Sequence, residues 1–319
     1  MSLLGWVDVP FEVQKPQDGW RLDAYLAKRL HRYSRCAVQK LISGGQVCMA
    51  GRPVKPATRV SAGQTVVVRY PKREEPPAAA SRLEVVFEDD WLLAVDKPGQ
   101  VLSHPTDKVV ENAVTTILRR QRPELKLHLI HRLDRETSGV LLLSKDPATA
   151  RLLTDAFSGR RVRKTYAALA AGRFPWARKT VDLPLEREGG EIKVKQAVGS
   201  GLPAVTEFER LASNDAVSLV AARPRTGRLH QIRAHLAHLG HPILGDKLYT
   251  GAGEYYMKAV RRELSAADLR TLGAPRQMLH ARELSLSHPI TDAPLVLSAP
   301  LPADFRACLD RASLETADG

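Results

Sequence analysis

The chain has 319 residues, of which 44% are hydrophobic and 26% are charged, and its formal net charge is +13. This composition is typical of a folded globular protein, and no apolar run approaches the roughly 20 residues that would span a bilayer. The N-terminus has neither a basic start nor a cleavage pattern, so we expect no signal peptide and a cytoplasmic location. Three widely spaced cysteines, Cys36, Cys48 and Cys308, argue against a disulfide framework and include no CxxC pair that would suggest zinc.

The first predicted elements form a small N-terminal unit. Leucine recurs at every fourth position in the segment RLDAYLAKRL, which predicts an amphipathic helix. Ser34 is a suitable N-cap for a second helix that runs through Ile42 and ends at the pair Gly44-Gly45. The segments VCM and AGRPV predict a short hairpin, and TVVVRY predicts a strand.

Positive charge is concentrated in this unit. Residues 1–70 contain 11 Lys and Arg against 4 Asp and Glu, so less than a quarter of the chain carries about half of the excess charge. A solvated charged face is one interpretation, but no acidic residue lies between positions 24 and 73 to build a salt-bridge ladder. We therefore predict that basic residues around the two helices bind phosphates of a nucleic acid: Arg21, Lys28, Arg29, Arg32, Arg35 and Lys40.

The stretch RLDAYLAKRLHRYSRCAVQKLISGGQV resembles the αL-type RNA-binding domain first described in a small-ribosomal-subunit protein. The chain departs from that family at Met49-Ala50-Gly51, where Val-Asn-Gly is usual. The resemblance implies a small α/β RNA-binding domain over residues 1–70, with its core at 19–70. Matching positions are Arg21, Leu22, Asp23, Ser34, Arg35, Leu41, Ile42, Gly45 and Val47. The segment 71–81, PKREEPPAAAS, has the composition of a linker.

The remainder of the chain combines grouped strands with interspersed helices. Strand patterns occur in LEVVFEDDWLLAVDKPG, in LHLI and VLLLS, and in TYAALAA, AVTEFERL and AVSLVAA. Helices are predicted over residues 112–121, from Pro147 onward, over 229–239, within the polar insertion 250–276, and near ADFRACLDRA. This arrangement predicts an α+β fold around a mostly antiparallel sheet with flanking helices.

The segment HRLDRETSG, residues 131–139, places five ionisable residues between two apolar runs. Arg132 and Arg135 flank Asp134, and nearby cations lower the pKa of a carboxyl group. We therefore predict an ionised Asp134 that acts as a base or a nucleophile. An Asp–Arg ion pair that only shapes a loop would have the same pattern. The immediate neighbours of Asp134 are mainly cations, and no metal-binding pattern such as HExxH or DxD lies nearby. Both observations argue against a metal site.

A second polar constellation is TGRLHQIRAHLAHLGHPILGDKLY, residues 226–249. Its histidines stand at positions 230, 235, 238 and 241, a spacing that does not put them on one helix face, which argues against zinc. Thr226-Gly227-Arg228 precedes a predicted helix start, where the Arg228 guanidinium can meet an anionic group. A plain helix-entry turn would have the same pattern.

Five ordered blocks within residues 83–300 resemble the RluA-type pseudouridine synthases, which convert uridine in RNA to its carbon-linked isomer. The blocks are DKPGQVLSHP, HRLDRETSGVLLLSKD, RKTYAALAAG, TGRLHQIRAHLAHLGHPILGDKLY and MLHARELSLSHP. The chain departs from the family at Leu229, where Thr or Ser is frequent, and at Gln100, which follows a glycine that usually comes one residue later. The resemblance implies a catalytic domain over residues 82–312 and a C-terminal tail over 313–319.

This resemblance also implies the roles of individual residues. Asp134 is the catalytic aspartate, Tyr166 stacks on the base and takes a proton, and Arg228 pairs with Asp134 and keeps it ionised. No metal or cofactor is implied. The sequence leaves open whether Asp134 attacks the ribose or the base.

The target uridine has to leave its stack before it reaches Asp134. The resemblance implies that Arg132 fills the vacated place, although a phosphate contact is an alternative for an arginine at this position. His131 is expected to support the loop through hydrogen bonds. The RNA-binding residues predicted in the catalytic domain are His131, Arg132, Arg135, Thr137 and Lys164.

Three functions compete at this point. An RNA-modifying isomerase needs Asp134, Tyr166 and Arg228, whereas an inactive RNA-binding ribosome-assembly factor has no chemical need for them. A metal-dependent hydrolase needs a ligand cluster that the sequence does not contain. The N-terminal domain is typical of relatives that act on large-subunit ribosomal RNA, so we favour that RNA over transfer RNA. We expect a monomer.

Overall fold

The computed structural model describes residues 6–30, 33–71, 80–106 and 109–314. The chain divides into two compact units, Met1–Glu74 and Glu75–Gly319. Most of the predicted linker lies outside the described residues, as does the predicted phosphate-binding residue Arg32. None of the described helices is long and apolar enough to cross a membrane.

The smaller unit packs two helices against a four-stranded antiparallel sheet within the described residues. Its elements are β1 Trp6–Glu12, a 3-10 turn Lys15–Gln17, α1 Leu22–Arg29, α2 Arg35–Ser43, β2 Val47–Met49, β3 Arg52–Pro53 and β4 Thr65–Pro71. The strand order is β1-β4-β2-β3. Both predicted helices, the hairpin and the last strand are confirmed, and Ser34 caps α2 by accepting a hydrogen bond from the Ala37 N–H (3.2 Å). Strand β1 was not predicted.

One buried carboxylate ties the two helices of this unit together. Asp23 on α1 has no solvent exposure and accepts hydrogen bonds from Arg21 (3.0 Å), Arg35 (3.0 Å) and Gln39 (2.7 Å). These donors, with Arg21 first, lower the pKa of Asp23 well below its usual range. The expectation that the basic residues lack an acidic partner is therefore wrong for Arg35. Its partner, Asp23, lies immediately before residues 24–73, the range that contains no acidic residue.

The larger unit is built on one extended sheet with helices around it. Its strands are β5 Glu84–Glu88, β6 Leu92–Lys97, β7 His128–Leu129, β8 Ser138–Ser144, β9 Arg163–Ala171, β10 Arg178–Asp182, β11 Leu185–Arg187, β12 Gln196–Val198, β13 Val205–Ser213, β14 Val217–Pro224, β15 Leu279–Ser287 and β16 Pro294–Ser298. Its helices are α3 Val114–Gln121, α4 Pro147–Ser158, α5 Gln231–His238, α6 Glu254–Arg261, α7 Ala266–Leu272 and α8 Ala303–Arg311, with a 3-10 turn at Gly251–Gly253.

The central sheet runs in the order β10-β13-β14-β9-β15-β8-β6-β5, with β16 beside β15 and β7 beside β8. Among the described strand pairs only β8–β15 is parallel, so the predicted α+β fold with a mostly antiparallel sheet is confirmed. Strand β8 is buried along its whole length, as its apolar sequence indicates. The position of β15 between β8 and β9 joins three segments that are distant in the chain.

Gly139 allows β8 and β15 to approach each other closely. Its φ is +110°, and a Cβ atom at this position would lie 2.2 Å from the carbonyl oxygen of Ala281 on β15. We expect Gly139→Ala to lower the free energy of unfolding by about 3 kcal/mol, because the added methyl must push the backbone of β15 away. Urea denaturation measures this loss.

A matched control is Gly189→Ala, because a Cβ atom there meets nothing within 4 Å. This control should change the free energy of unfolding by less than about 0.5 kcal/mol. If Gly139→Ala were as stable as the control, the close contact between β8 and β15 would be contradicted.

Candidate active site

A cleft of about 520 Å³ opens in the larger unit. The segment that precedes β8, the first residues of β9 and the residues at the start of α5 form its walls. It brings together most of the site residues predicted from the catalytic domain. The predicted residues that line it are His131, Arg132, Asp134, Thr137, Lys164, Tyr166 and Arg228.

Asp134 pairs with an arginine other than the predicted one. Arg233 on α5 donates from Nη1 to Asp134 Oδ2 at 2.7 Å. The other side of the same guanidinium binds Asp246, with Nε to Oδ2 at 2.6 Å and Nη2 to Oδ1 at 2.9 Å. Arg233 is only 7% exposed and Asp246 is fully buried. One rigid guanidinium thus links the candidate catalytic carboxylate to a second, buried carboxylate.

The prediction that Arg228 pairs with Asp134 is therefore wrong. Arg228 lies in the turn before α5, where its Nε donates to the Pro203 carbonyl oxygen at 3.1 Å. Its backbone N–H donates to the Gln231 side-chain oxygen at 3.0 Å. Arg228 still lines the cleft, so a contact with RNA stays a prediction. Arg233 lies five residues further along the chain, on α5, and its side chain reaches Asp134 from there.

The charge state of Asp134 follows from this pairing. Burial raises the pKa of the carboxyl group, but the charge and the hydrogen bond of Arg233 outweigh burial and hold the pKa below its usual value. The lowered pKa of Asp134 agrees with the prediction, but the cation that lowers it is not one of those predicted. The cation that pairs with Asp134 is Arg233, 99 residues away in the chain, and neither Arg132 nor Arg135 donates to it among the described contacts.

Hydrogen bonds from an earlier part of the chain hold the Asp134 segment from one side. The Ser103 hydroxyl donates to the Leu133 carbonyl oxygen (2.9 Å) and accepts from the Leu133 N–H (3.0 Å). The fully buried ammonium of Lys97 donates to the carbonyl oxygens of Arg135 (3.2 Å) and Val101 (2.8 Å). These bonds fix the backbone on both sides of Asp134.

Residues just before β15 hold the same segment from the other side. The Gln277 side-chain amide donates to the Thr137 hydroxyl at 2.7 Å and reaches Asp134 Oδ2 at 3.5 Å. The Gln277 backbone N–H donates to the Glu136 carboxylate at 3.0 Å. The same carboxylate also accepts a hydrogen bond from Lys247 at 2.9 Å. The prediction that Thr137 binds RNA is not supported, because its side chain is 2% exposed and its hydroxyl is bonded to Gln277.

His131 supports the segment that it precedes. Its Nε2 accepts a hydrogen bond from the Leu142 N–H at 3.1 Å, and its ring stacks on Phe157 with centroids 4.9 Å apart. Burial, with a smaller contribution from the charge of Lys164, lowers the pKa of His131 to about 3. The imidazole is therefore neutral at physiological pH, which the acceptor role of Nε2 requires.

This histidine predicts a pH dependence of stability. Its pKa in the folded state is about 3, below the roughly 6.5 of an unfolded chain. Between these values the unfolded state binds one more proton. The free energy of unfolding therefore falls as the pH drops from 6.5, by up to about 1.4 kcal/mol per pH unit from this group. We expect a shallower decline for His131→Gln than for the wild type in urea denaturation from pH 7 to pH 4.5.

The exposed histidine at the end of α5 serves as the control for this experiment. His238→Gln should leave the slope of the wild type unchanged, because the His238 side chain is exposed in the folded protein and its surroundings change little on unfolding. Equal slopes for the wild type and His131→Gln would contradict a neutral His131 in the folded protein.

Tyr166 enters the cleft from β9 and packs against both apolar cores of the larger unit. Burial, together with the negative charge of Asp134, raises the pKa of its phenol. The ring is therefore a neutral phenol, with an apolar face for stacking and a hydroxyl group that can donate. A phenol must release its own proton before it can take one from a substrate.

Three further predicted RNA-binding residues lie at or near the cleft. Lys164 is half-buried at the cleft wall, and burial lowers its pKa. Arg132 is exposed at the cleft, and no described side chain pairs with it. Arg135 is exposed but does not line the cleft. Its Nε donates to the Gln100 carbonyl oxygen at 3.3 Å.

The basic residues of the smaller unit form a separate group. Arg21, Lys28, Arg35 and Lys40 are exposed, and Arg21 and Arg35 also bind Asp23. Arg29 is half-buried, donates to the Glu12 carbonyl oxygen at 3.2 Å and stacks over the Tyr25 ring at 5.7 Å. Phosphate binding by this group stays a prediction.

Two of the four histidines near α5, His235 and His241, have structural partners. His235 is fully buried between the Thr206 hydroxyl (2.9 Å) and the Leu183 carbonyl oxygen (3.0 Å), and His241 bonds the Ala171 carbonyl oxygen at 2.9 Å. Within the part of the chain that the structure describes, no group of three or more His, Cys, Asp or Glu is arranged to hold a metal ion.

Sequence reasoning missed four residues of the site: His230, Arg233, Asp246 and Gln277. The first three lie inside the quoted segment of residues 226–249, so the motif included them without distinguishing them. Their roles depend on where α5 crosses the Asp134 segment, which no local pattern specifies. A signal for Asp246 was available in the pattern Gly245-Asp246, since an Asp next to a glycine in an apolar stretch is costly to bury unless it is paired.

Comparison with known proteins identifies two sequence families that match this chain. The sequence model of the RNA pseudouridylate synthase family matches residues 91–238, and that of the S4 domain matches residues 20–66. Ribosomal large subunit pseudouridine synthase D of Xanthomonas campestris pv. campestris is 33% identical over 295 residues, covering 90% of this chain and 87% of that protein. The protein of the same name from Pseudomonas aeruginosa is 30% identical over 304 residues, covering 93% of this chain and 92% of that protein.

Solved structures give the same relationship for the larger part of the chain. Human RNA pseudouridylate synthase domain containing 4 superposes with a TM-score of 0.58 at 28% identity, covering 73% of this chain and 94% of the human one. Human RNA pseudouridylate synthase domain containing 1 superposes with the same TM-score at 26% identity, covering 73% of this chain and 90% of that protein.

Proposed function

This chain belongs to the RNA pseudouridylate synthase family, and we propose that it isomerises uridine to pseudouridine in large-subunit ribosomal RNA. The observation that carries the proposal is the pairing of the Asp134 carboxyl group with Arg233 at 2.7 Å in a cleft lined with basic residues and Tyr166. In this reaction the bond from uracil N1 to ribose C1′ breaks and a bond from C5 to C1′ forms. A proton leaves C5 and a proton is added at N1.

Asp134 is the residue that acts on the nucleoside in this proposal. A departing uracil leaves positive charge on the sugar, and a carboxylate beside it stabilises that charge or forms a covalent bond, as in glycosidases. Arg233 keeps the carboxylate ionised and fixes its orientation through Oδ2, so Oδ1 is the oxygen left to act on the ribose carbon C1′. The apolar side chains around the cleft limit the access of water to an intermediate.

Tyr166 is the stacking surface for the detached base. Its ring is supported by the buried cores behind it, so it can hold the uracil while the base turns from N1 to C5. The proton-accepting role implied by the family remains part of the proposal, with the condition that the phenolic proton is passed on first.

Basic side chains at the cleft hold the RNA around the target. Arg132, two residues before Asp134, fills the stack that a flipped uridine leaves, or binds a neighbouring phosphate. Lys164 and Arg228 supply further positive charge at the cleft wall. The exposed basic residues of the smaller unit bind other phosphates of the same RNA, which would make the affinity fall steeply with salt.

The choice of RNA rests on the relatives. Two relatives that align over nearly the whole chain carry names that specify the large ribosomal subunit. Transfer RNA remains the alternative substrate. Action in the cytoplasm and as a monomer are parts of the same proposal, and light scattering of the purified protein tests the second.

The test is an isomerisation assay on two RNAs. Purified protein is incubated with large-subunit rRNA or with tRNA, each tritiated at uracil C5 and taken from cells that lack this gene. Because the isomerisation removes the hydrogen from C5, tritium release to water reports the reaction directly. We expect release from the rRNA only. Release from tRNA only would keep the activity and overturn the substrate. Salt-sensitive binding without release from either RNA would favour the ribosome-assembly factor.

A further inference from the structure

His230 stands at the start of α5 in a left-handed backbone conformation, with φ 54° and ψ 19°. It lines the cleft, and its Nε2 lies 3.9 Å from Asp134 Oδ2. We propose that His230 and Asp134 together bind the 2′-hydroxyl group of the target ribose and thereby select RNA. This inference rests on the proposed function and assigns a new substrate contact within the same cleft.

The distance between the two side chains suits one bridging oxygen. At 3.9 Å, Nε2 and Oδ2 are too far apart for a direct hydrogen bond, which needs about 3 Å. A single oxygen placed about 2.8 Å from each atom satisfies both. A substrate oxygen that forms a hydrogen bond with Asp134 Oδ2 is therefore also within reach of His230.

Neighbouring side chains hold the imidazole in place. The Tyr249 ring meets it edge-on, with centroids 6.1 Å apart and an interplanar angle of 90°. The Tyr249 hydroxyl donates to the Gln196 carbonyl oxygen (3.0 Å) and accepts from the Gln196 N–H (3.1 Å). The His230 side chain is 11% exposed. A ring confined in this way presents Nε2 to the cleft at little cost in conformational entropy on binding.

The protonation state of the ring determines which oxygen fits. Burial lowers the pKa of His230 to about 4, with the Arg233 charge acting in the same direction and Asp134 against it. The imidazole is thus neutral at pH 7 and carries one N–H. Among the described residues nothing pairs with the buried Nδ1, so no bond on that side fixes the tautomer. The carboxylate of Asp134 favours the proton on Nε2.

An N–H donor and a carboxylate acceptor side by side select a hydroxyl group. A bridging oxygen must accept from His230 and donate to Asp134, and carbonyl and phosphate oxygens cannot donate. Within an RNA strand the 3′ and 5′ oxygens of the target are esterified, so the 2′-hydroxyl is the free hydroxyl of that nucleotide. This group distinguishes RNA from DNA.

The backbone of His230 adopts an uncommon conformation. A left-handed conformation costs energy for most residues other than glycine, and eight non-glycine residues of the described chain adopt it. His230 adopts it at a position that lines the cleft, where strained residues often direct a side chain at a ligand. A glycine would adopt this conformation without strain but would leave the cleft without the imidazole.

The experiment combines a variant of the enzyme with a change in the substrate. The substrates are short synthetic RNA hairpins around the uridine that the wild-type enzyme modifies in large-subunit rRNA, tritiated at C5. They carry either ribouridine or 2′-deoxyuridine at that single position. Wild type, His230→Ala, His230→Gln and the exposed-site control His238→Ala are compared by kcat/KM.

We expect removal of the 2′-hydroxyl to lower the wild-type kcat/KM by about tenfold to a hundredfold, as for a hydrogen bond to a charged group. His230→Ala should lose a similar factor on ribouridine and little more on 2′-deoxyuridine, because the two changes remove the same contact. His230→Gln places an amide N–H near the position of Nε2 and should recover part of the loss. His238→Ala should behave as the wild type does on both substrates.

Two results would overturn the inference. In the first, the losses in kcat/KM from His230→Ala and from removal of the 2′-hydroxyl multiply. His230→Ala would then discriminate against 2′-deoxyuridine as strongly as the wild type does. The other is an equal rate of the wild type on both hairpins, which remains informative even if both His230 variants fail to fold. A wild type that releases no tritium from ribouridine in rRNA contradicts the proposed function itself and is thereby distinguished from both.

Discussion

Asp134→Asn lowers the rate of tritium release by about 10⁴-fold or more while the protein remains folded and still binds RNA. The amide has the shape of the carboxylate but cannot form a covalent bond to the sugar or stabilise positive charge on it, and losses of this size are typical when an attacking group is removed. Arg233 keeps its two bonds to Asp246, so the site remains assembled. Single-turnover assays with excess enzyme measure the loss.

The matched control for this variant is Asp310→Asn, which makes the same chemical change at an exposed position on α8. It should retain the wild-type rate. Gel-shift titrations should give the same RNA affinity for Asp134→Asn as for the wild type. An Asp134→Asn enzyme that kept more than about a tenth of the wild-type rate would correspond to a barrier change of less than about 1.4 kcal/mol, which would contradict a chemical role for Asp134.

Arg233→Ala should be destabilised as well as inactive. Its loss leaves Asp134 and the fully buried Asp246 without the guanidinium that neutralises them, and breaking a buried ion pair of this type costs about 3–5 kcal/mol. Arg233→Lys should recover little of either property, because an ammonium group cannot reproduce the planar fork that serves both carboxylates. Urea denaturation and tritium release measure the two effects on the same preparations.

Arg228→Ala is the matched control, since Arg228 lies in the same cleft five residues earlier in the chain. Its side chain bonds a backbone carbonyl oxygen rather than a carboxylate, so we expect a loss of stability below about 1 kcal/mol. Any effect on the reaction should appear mainly as weaker RNA binding with a shallower salt dependence, because one phosphate contact is lost. If Arg228→Ala rather than Arg233→Ala abolished the isomerisation, the pairing seen in the structure would not be the one that matters for the reaction.

Features that depend on neighbouring residues were predictable from the sequence. Ser34 as a cap, Pro147 as the first residue of α4, and the buried strand after Asp134 all follow from patterns within a few residues. The fold class follows from the order of such elements. Strand β15 was not predicted because buried and half-exposed residues alternate irregularly along it. Its place in the sheet, between β8 and β9, also depends on strands that are distant from it in the sequence.

Features that depend on tertiary contacts were not predictable in the same way. The choice between Arg228 and Arg233 depends on how α5 crosses a segment 99 residues earlier in the chain. Thr137 has the appearance of an exposed polar residue in a loop, and only the packing of Gln277 shows that it is buried. Arg35 appeared unpaired because its carboxylate partner belongs to the preceding helix.

The position of Gln277 and β15 has a consequence for the time at which the protein becomes active during its own synthesis. The first and last strands of the small unit in the chain, β1 and β4, both lie within residues 6–71, so the ribosome releases all the described elements of this unit early. The Asp134 segment, in contrast, is held by Gln277 and Arg276, and its neighbouring strand pairs with β15. A growing polypeptide therefore gains a folded basic module long before its catalytic centre can assemble. Translation therefore delays the chemistry at least until β15, Leu279–Ser287, has been synthesised.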